Sequence, residues 1–329
     1  MSVTVIAEAA TCHGGREDLA HRLVDSAADA GADVVKFQLI NPQTLYAPFL
    51  VEGGQRRRNP AVKDRTDELL PRGVWSELSD HCRERGISLG LTLFDVDSLD
   101  LVRTLKLPFI KIASGDLTFT PLLEHAGTFE KPILLSTGMA TLGEIECALG
   151  AITRHASPPI TLLHCVSVYP CPPTLANLGR MRALKTFGYD VGFSDHTLGS
   201  GVAAAAVALG ALAIEKHTRL TVGPRTPDYD HSLDEQGLKA FIQGIRDAQS
   251  AVEATSLAVS PEEKVVRQRA RRGAYAARDL AAGSLLSSDD VMWMRPLPDA
   301  STTCVENLIG RTVQTPVLAG EPITESVLV

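Results

Sequence analysis

The chain has 329 residues, 44% of them hydrophobic and 22% charged, which supplies a sizeable core beneath a solvated surface and more length than one small module needs. Lys and Arg total 32 against 39 Asp and Glu, a net charge of −7 that argues against nucleic acid as the main partner but permits a local cationic pocket for a small anion. The longest apolar run, 201–214, is shorter than the roughly 20 residues that cross a bilayer, so no membrane partner is expected.

No basic segment followed by an apolar stretch opens the chain, and Glu8 interrupts the first apolar run, so no secretory signal is read. Cys12, Cys82, Cys147, Cys165, Cys171 and Cys304 form no C-x-x-C pair. A disulfide framework and a structural zinc are therefore not expected, and the expected compartment is the cytoplasm.

Along the chain, short β-rich segments alternate with longer helical ones. Residues 3–7 read as a strand, and 17–30 as a helix with Leu19, Leu23, Ala27 and Ala30 on one face and Gly31 as its stop. Further strands are predicted at 34–38, 87–94, 109–113, 132–136, 160–165, 190–193 and 211–216. Eight β segments at crossover spacing favour parallel pairing, and eight such units in about 250 residues fit a (β/α)8 TIM barrel over residues 1–255 better than an open doubly wound sheet. After the helix that begins near Asp234 the pattern changes. Residues 256–272, with Pro261 and the basic run Arg267-Gln-Arg-Ala-Arg-Arg272, read as a solvated linker. The remaining 273–329 form a small β-rich domain. It carries an internal echo, Leu280-Ala-Ala-Gly283-Ser-Leu-Leu286-Ser287 against Val317-Leu-Ala-Gly320-Glu-Pro-Ile323-Thr324.

A closed barrel requires reactive side chains at the C-terminal ends of its strands. The sequence meets that demand. Glu8 stands at the end of the first predicted strand, Lys36 and Gln38 at the end of the second, and Thr92 falls late in the third. Lys111, Ser114 and Asp116 fall at the end of the fourth and Ser136 of the fifth. Ser167 and Tyr169 follow the sixth, Ser194 and His196 the seventh, Glu215 and His217 the eighth. Lys36 and Lys111 sit in otherwise apolar strands, so each needs an anion when buried. A barrel carboxylate such as Glu8 or Glu215 is one such anion. A phosphate or carboxylate ligand, held with Ser114, Ser136 and Ser194, is the other. Taken singly, His196 and His217 are ordinary hydrogen-bonded histidines; as a pair with Glu215 beside them they point to an open divalent-metal site suited to Lewis-acid chemistry, with the ion undecided by spacing. Arg56-Arg-Arg58 reads as a solvated patch, Trp75 and Trp293 as packing residues. Gly14-Gly15 and Gly53-Gly54 lack nucleotide-loop spacing.

Taken together, these motifs resemble the sialic acid synthase family over nearly the whole chain. They are Ile6-Ala-Glu8-Ala, Gly31-Ala-Asp-Val-Val-Lys36-Phe-Gln38, Lys111-Ile-Ala-Ser-Gly-Asp116-Leu, Ser136-Thr-Gly-Met-Ala-Thr141, Leu163-His-Cys165, Gly192-Phe-Ser-Asp-His196-Thr-Leu-Gly199 and Ile214-Glu-Lys-His217. The terminal segment resembles that family's antifreeze-like (SAF) domain. The resemblance implies condensation of phosphoenolpyruvate with an amino-sugar aldehyde, with C–O cleavage and phosphate release, in a domain-swapped homodimer. It implies that His196 and His217 bind Mn2+, or Mg2+ or Co2+. It implies that Lys36, Thr92, Lys111, Ser114, Ser136, Ser167 and Ser194 surround phosphoenolpyruvate. Glu8, Gln38, Tyr169 and Asp228 would meet the acceptor, and Arg295 would arrive from the other subunit. Asp116, with Glu8 and Glu215, is a candidate catalytic carboxylate.

Four departures from the family pattern stand out, most of them on the acceptor side. The first-strand loop reads Cys12-His-Gly-Gly15, Leu93 follows Thr92, Leu-Pro-Asp-Ala follows Arg295-Pro296, and the usual Gly-Pro-Asp-His stretch is Thr226-Pro-Asp-Tyr229 followed by Asp230-His231. The last leaves Asp228 and Asp230 as alternatives for the acceptor contact. Rival readings are condensation with a different sugar aldehyde, a non-catalytic sugar- or phosphate-binding barrel, and a metal-dependent barrel isomerase.

Overall fold

The computed structural model describes residues 2–254, 256–299 and 305–329, so Cys304 lies outside the described residues. The chain divides into two compact units, Met1–Ala254 and Thr255–Val329.

In the first unit, eight parallel strands close into a barrel. They are β1 (Thr4–Ala10), β2 (Val34–Leu39), β3 (Ser88–Leu93), β4 (Ile110–Ile112), β5 (Ile133–Ser136), β6 (Ile160–Cys165), β7 (Asp190–Asp195) and β8 (Ala213–His217). Each strand pairs with its sequence neighbours, and β1 pairs with β8 to close the ring. Closure decides between the barrel and the open sheet that strand spacing alone leaves possible. The first helix, Glu17–Ala30, buries Leu19, Leu23 and Ala27 and ends on Gly31, whose φ of 86° is the left-handed conformation a Cβ disfavours. The apolar run 201–214 is divided between helix Gly201–Ala208 and β8. No helix among the described residues is long and apolar enough to cross a membrane.

Strand alternation stacks the barrel interior in layers. Ile6, Val34, Phe109, Leu134, Leu163 and Ala213 form one buried apolar cluster. Two residues further along the same six strands come Glu8, Lys36, Lys111, Ser136, Cys165 and Glu215, which point the same way because side chains repeat with period two. The apolar layer therefore floors a polar one. Gly90 and Gly192 make room inside: a Cβ on Gly90 would sit 3.2 Å from Lys36 Cγ, and one on Gly192 2.6 Å from the Ala213 carbonyl oxygen. Outward residues such as Val5, Val35, Leu91 and Ile214 pack with the helices into the main core.

Two local features differ from the sequence reading. The loop after β2 contains an antiparallel hairpin, Phe49–Glu52 with Gln55–Arg58, turned by Gly53 and Gly54 at φ of 55° and 78°. That glycine pair serves a two-residue hairpin turn. Arg56 stacks over Phe49 at 3.6 Å, and the arginines are exposed. The segment 256–272, read as a linker, contains the helix Pro261–Ala270. The helix buries no residue, so it leaves no apolar stripe to detect; its start is specified by a capping box between Ser260 and Glu263.

The second unit pairs Gly273–Ala276 with Val291–Met294 and encloses its own core of Leu280, Leu286, Leu308, Val313, Val317 and Ile323, among others. The internal echo is structural. Leu280 and Val317 exchange backbone hydrogen bonds of 2.8 and 3.0 Å, and Gly283 and Gly320 take matching φ values of 88° and 84°. Leu286 and Ile323 are both buried.

Candidate active site

The polar layer opens into a cavity of about 340 Å³ at the C-terminal mouth of the barrel. Glu8, Lys36, Gln38, Thr92, Lys111, Ser114, Ser136, Ser167, Tyr169, Ser194, His196, Glu215 and His217 all line it, so the strand ends bring together most of the residues singled out from sequence. Asp116, Asp228 and Arg295 are not on that wall. Asp116 follows β4 in the turn Ser114–Asp116, Asp228 precedes the turn Tyr229–His231, and Arg295 is an exposed residue of the second unit.

The two lysines part company. Lys36 Nζ makes a close ion pair with Glu8 Oε2, lies 3.4 Å from Glu215 Oε2 and donates to Thr92 Oγ1 at 2.7 Å. Lys111 Nζ donates to Ser136 Oγ at 2.8 Å and to the Ile112 carbonyl at 3.0 Å, and forms no ion pair with a carboxylate among the described residues. Lys36 thus follows the salt-bridge reading. Lys111, 3% exposed, makes its direct hydrogen bonds only to hydroxyl and carbonyl oxygens, while Glu215 feels it through space. A buried ammonium so placed favours an anionic ligand. Burial alone would raise the Glu215 pKa, but Lys111 and Lys36 overcome it and hold the carboxylate well below its usual range; Ser194 Oγ donates to Glu215 Oε1 at 2.7 Å.

A hydroxyl cluster continues the wall beyond Lys111. Ser114 Oγ accepts from the Gly138 N–H at 2.9 Å and lies 3.1 Å from Cys165 Sγ. A Cβ on Gly138 would stand 2.5 Å from Ser167 Oγ and 2.8 Å from Ser114 Oγ, so the Ser136-Thr-Gly motif needs a glycine to let these groups close up. Asp116 is 9% exposed; burial pushes its pKa up to about 6, against a pull downward from Lys111.

His196 and His217 sit with ring centroids 5.7 Å apart. His196 Nδ1 faces the Val166 carbonyl oxygen at 2.7 Å and must donate to it, which leaves Nε2 with its lone pair. Metal-binding histidines are commonly oriented in this way. His217 Nδ1 is buried without a hydrogen-bond partner, and burial drives the His217 pKa down to about 3, keeping the ring neutral. Neutral imidazoles with one oriented by a carbonyl and one carrying an orphaned buried nitrogen fit a divalent cation.

Beneath the imidazoles lies a pair the sequence reading did not single out. Lys216 Nζ donates to Asp195 Oδ2 at 2.9 Å and makes a short bond to the Thr197 carbonyl, while Asp195 Oδ1 accepts from the Thr197 N–H and Oγ1. Asp195 and Lys216 alternate with the inward residues of β7 and β8, so their charges lie outside the barrel wall, next in sequence to His196 and His217. Their signal was available: a charged residue at the last outward position of each of two adjacent apolar strands. His231 was also left without a role, although the Tyr169 ring contacts both it and His196 in tilted pairs, with centroids 4.8 and 4.2 Å away. Two departures from the family pattern meet one another: Thr226 Oγ1 is 3.5 Å from Cys12 Sγ, and a Cβ on Gly14 would stand 2.6 Å from Pro224 Cγ.

The NeuB family model matches residues 23–256, and the SAF domain model matches 271–329. The chain belongs to the NeuB family. Among the family's curated proteins, the N,N'-diacetyllegionaminic acid synthase of Campylobacter jejuni is 36% identical over 93% of this chain and 94% of its own length. The Legionella pneumophila enzyme of the same name is 34% identical over 97% and 93%. Among solved structures, N-acetylneuraminic acid synthetase from Leptospira borgpetersenii, in complex with citrate, aligns with a TM-score of 0.71 at 31% identity. The alignment covers 81% of this chain and 90% of that one. The spore coat polysaccharide biosynthesis protein SpsE of Bacillus subtilis aligns at 0.66 and 27%, over 100% and 95%. The barrel-plus-SAF architecture is therefore that of the NeuB family from end to end.

Proposed function

We propose that this chain is a nonulosonic acid synthase, a transferase that condenses phosphoenolpyruvate with an amino-sugar aldehyde and releases phosphate. The observation that carries the reading is the shared cavity in which Lys111, unpaired with any described carboxylate, faces the same space as His196 and His217. Family membership and the synthases among the relatives support it.

In this reading Lys111, Ser136, Ser114, Ser167 and Thr92 hold the phosphate and carboxylate of phosphoenolpyruvate, with Lys36 and Ser194 fixing the Glu8 and Glu215 carboxylates beside it. Glu8, Gln38, Tyr169 and Asp228 face the acceptor. His196 and His217 would hold a divalent cation (Mn2+, or Mg2+ or Co2+), which would supply Lewis-acid chemistry towards the acceptor aldehyde. C3 of phosphoenolpyruvate attacks the aldehyde carbon, and positive charge develops at C2. Asp116, with its pKa near 6, takes a proton from the water that adds at C2. The resulting hemiketal phosphate breaks its C2–O bond to give the 2-keto acid and inorganic phosphate. Negative groups fixed before the reaction stabilise the developing charge without reorganising. Arg295 serves the partner's barrel in a swapped homodimer.

Metal-dependent phosphate release from phosphoenolpyruvate, measured across a panel of hexosamine-derived aldehydes, tests the reading and identifies the acceptor. Release that requires both metal and an aldehyde is expected. Absence of release with every aldehyde would favour a binding protein, and aldehyde turnover without consumption of phosphoenolpyruvate an isomerase.

A further inference from the structure

The loop that follows β8 brings His231, to which neither the strand ends nor the resemblance gives a role, together with Asp228 and the strand-end His217. His217, Asp228 and His231 each place one potential ligand atom within 4.8 Å of the others. The His231 side chain is only 8% exposed and that of Asp228 19%. His231 Nε2 and His217 Nδ1 are both buried without a hydrogen-bond partner, an unfavourable state when nothing compensates it. His231 Nε2 lies 3.4 Å from Asp228 Oδ1, longer than the roughly 2.7–2.9 Å of a charge-assisted hydrogen bond. Two ligand atoms at about 2.1 Å from one cation stand roughly 3.0 Å apart at an octahedral angle and roughly 3.4 Å at a tetrahedral one. The observed separation suits neighbouring ligands better than a hydrogen-bonded pair.

The loop is built to hold this position. The Leu233 N–H donates to the His217 carbonyl at 3.0 Å and the Arg219 N–H to the Leu233 carbonyl at 2.9 Å, so the two ends of the loop are pinned to each other beside His217. The Cys12–Thr226 contact and the Gly14–Pro224 fit hold its far side against the loop after β1. The His217 and His231 ring centroids are 5.0 Å apart, closer than the 5.7 Å between His196 and His217.

We propose that Asp228 and His231 join His217 as ligands of the site's divalent cation, so that in this chain the loop after β8 supplies a second imidazole and a carboxylate beside the strand-end histidine. The inference rests on the metal-dependent reading above and extends it. Asp228 gives the ion Oδ1 and keeps its second oxygen for an acceptor hydroxyl. Nitrogen donors joined by a carboxylate suit Mn2+, Fe2+ or Co2+ and hold the ion more firmly than two imidazoles do.

The test is a Mn2+ titration of the full-length protein, with free Mn2+ read by electron paramagnetic resonance, for wild type, His231→Gln and His217→Ala. Loss of an outer partner of a metal ligand typically weakens binding about 10–100-fold. Loss of a direct ligand should cost at least the lower figure, so His231→Gln is expected to raise Kd tenfold or more and to shift the visible absorption of the Co2+-loaded protein. His217→Ala is expected to abolish binding. An unchanged Kd and Co2+ spectrum in His231→Gln, with binding lost in His217→Ala, overturns the added ligands and leaves the proposed synthase reading standing. Unchanged binding in both variants overturns both. Circular dichroism checks the fold of each variant. If His231→Gln does not fold, Asp228→Asn takes its place in the titration, where a tenfold loss supports the inference and an unchanged Kd overturns it.

Discussion

Replacing Lys216 by methionine isolates what the buried pair behind the imidazoles contributes. The lysine and Asp195 side chains are 1% and 0% exposed, and Phe241 lies 5.3 Å from the ammonium. Methionine preserves most of the stem volume but leaves a carboxylate with only the Thr197 N–H and hydroxyl as donors. Breaking one side of a buried pair costs about 3–5 kcal/mol. For a unit of this size each kcal/mol lowers Tm by about 2–4 °C, so Lys216→Met should lower the barrel's Tm by about 6–20 °C. Pairing it with Asp195→Asn removes the orphaned charge and keeps an acceptor for Thr197, and should recover about 2 kcal/mol or more. Circular dichroism melts and guanidinium unfolding of the two variants provide the measurement. A loss below about 1 kcal/mol, typical of an exposed ion pair, would refute the argument that this pair is sealed behind the site.

Two further outcomes follow from the site. If Asp116 works as a base with a pKa near 6, it is charged above that pH and neutral below it, so kcat should fall as pH drops through about 6. Asp116→Asn should remove that limb and lower kcat about 100-fold or more, and a wild-type limb retained in the variant would count against the assignment. If Arg295 serves a partner's barrel, as proposed, Lys111→Met and Arg295→Ala chains should each be nearly inactive alone. Co-expressed, they should regain activity, because a mixed dimer contains one barrel with Lys111 served by an intact Arg295. No recovery in a verified mixed dimer would place Arg295 in its own chain's site or outside catalysis.

What was legible in the sequence followed periodicity. The strands are short, apolar and regularly spaced, and their polar residues fall on the inward parity. Reading Glu8, Lys36, Lys111, Ser136, Glu215 and His217 along their strands was therefore enough to anticipate one shared mouth. Which lysine pairs with a carboxylate was not legible. That depends on Glu8 standing opposite both Lys36 and His217 in the closed barrel, a register no linear spacing encodes. Local devices without an apolar stripe also escaped. The hairpin at 49–58 is turned by a glycine pair that had been weighed only as a nucleotide loop, and the helix Pro261–Ala270 is fully solvated. His231 was obscured for a different reason. It lies in an irregular loop whose position is set by contacts with Cys12 and Gly14, more than two hundred residues earlier.

Oxygen-18 placed in the bridging C2–O position of phosphoenolpyruvate tests the central claim most directly. With the aldehyde acceptor and metal present, the account predicts that the label leaves entirely with inorganic phosphate and that the keto oxygen of the product derives from water. Label retained in the keto acid would contradict C–O cleavage, and with it the role given to the water-activating carboxylate beside Lys111.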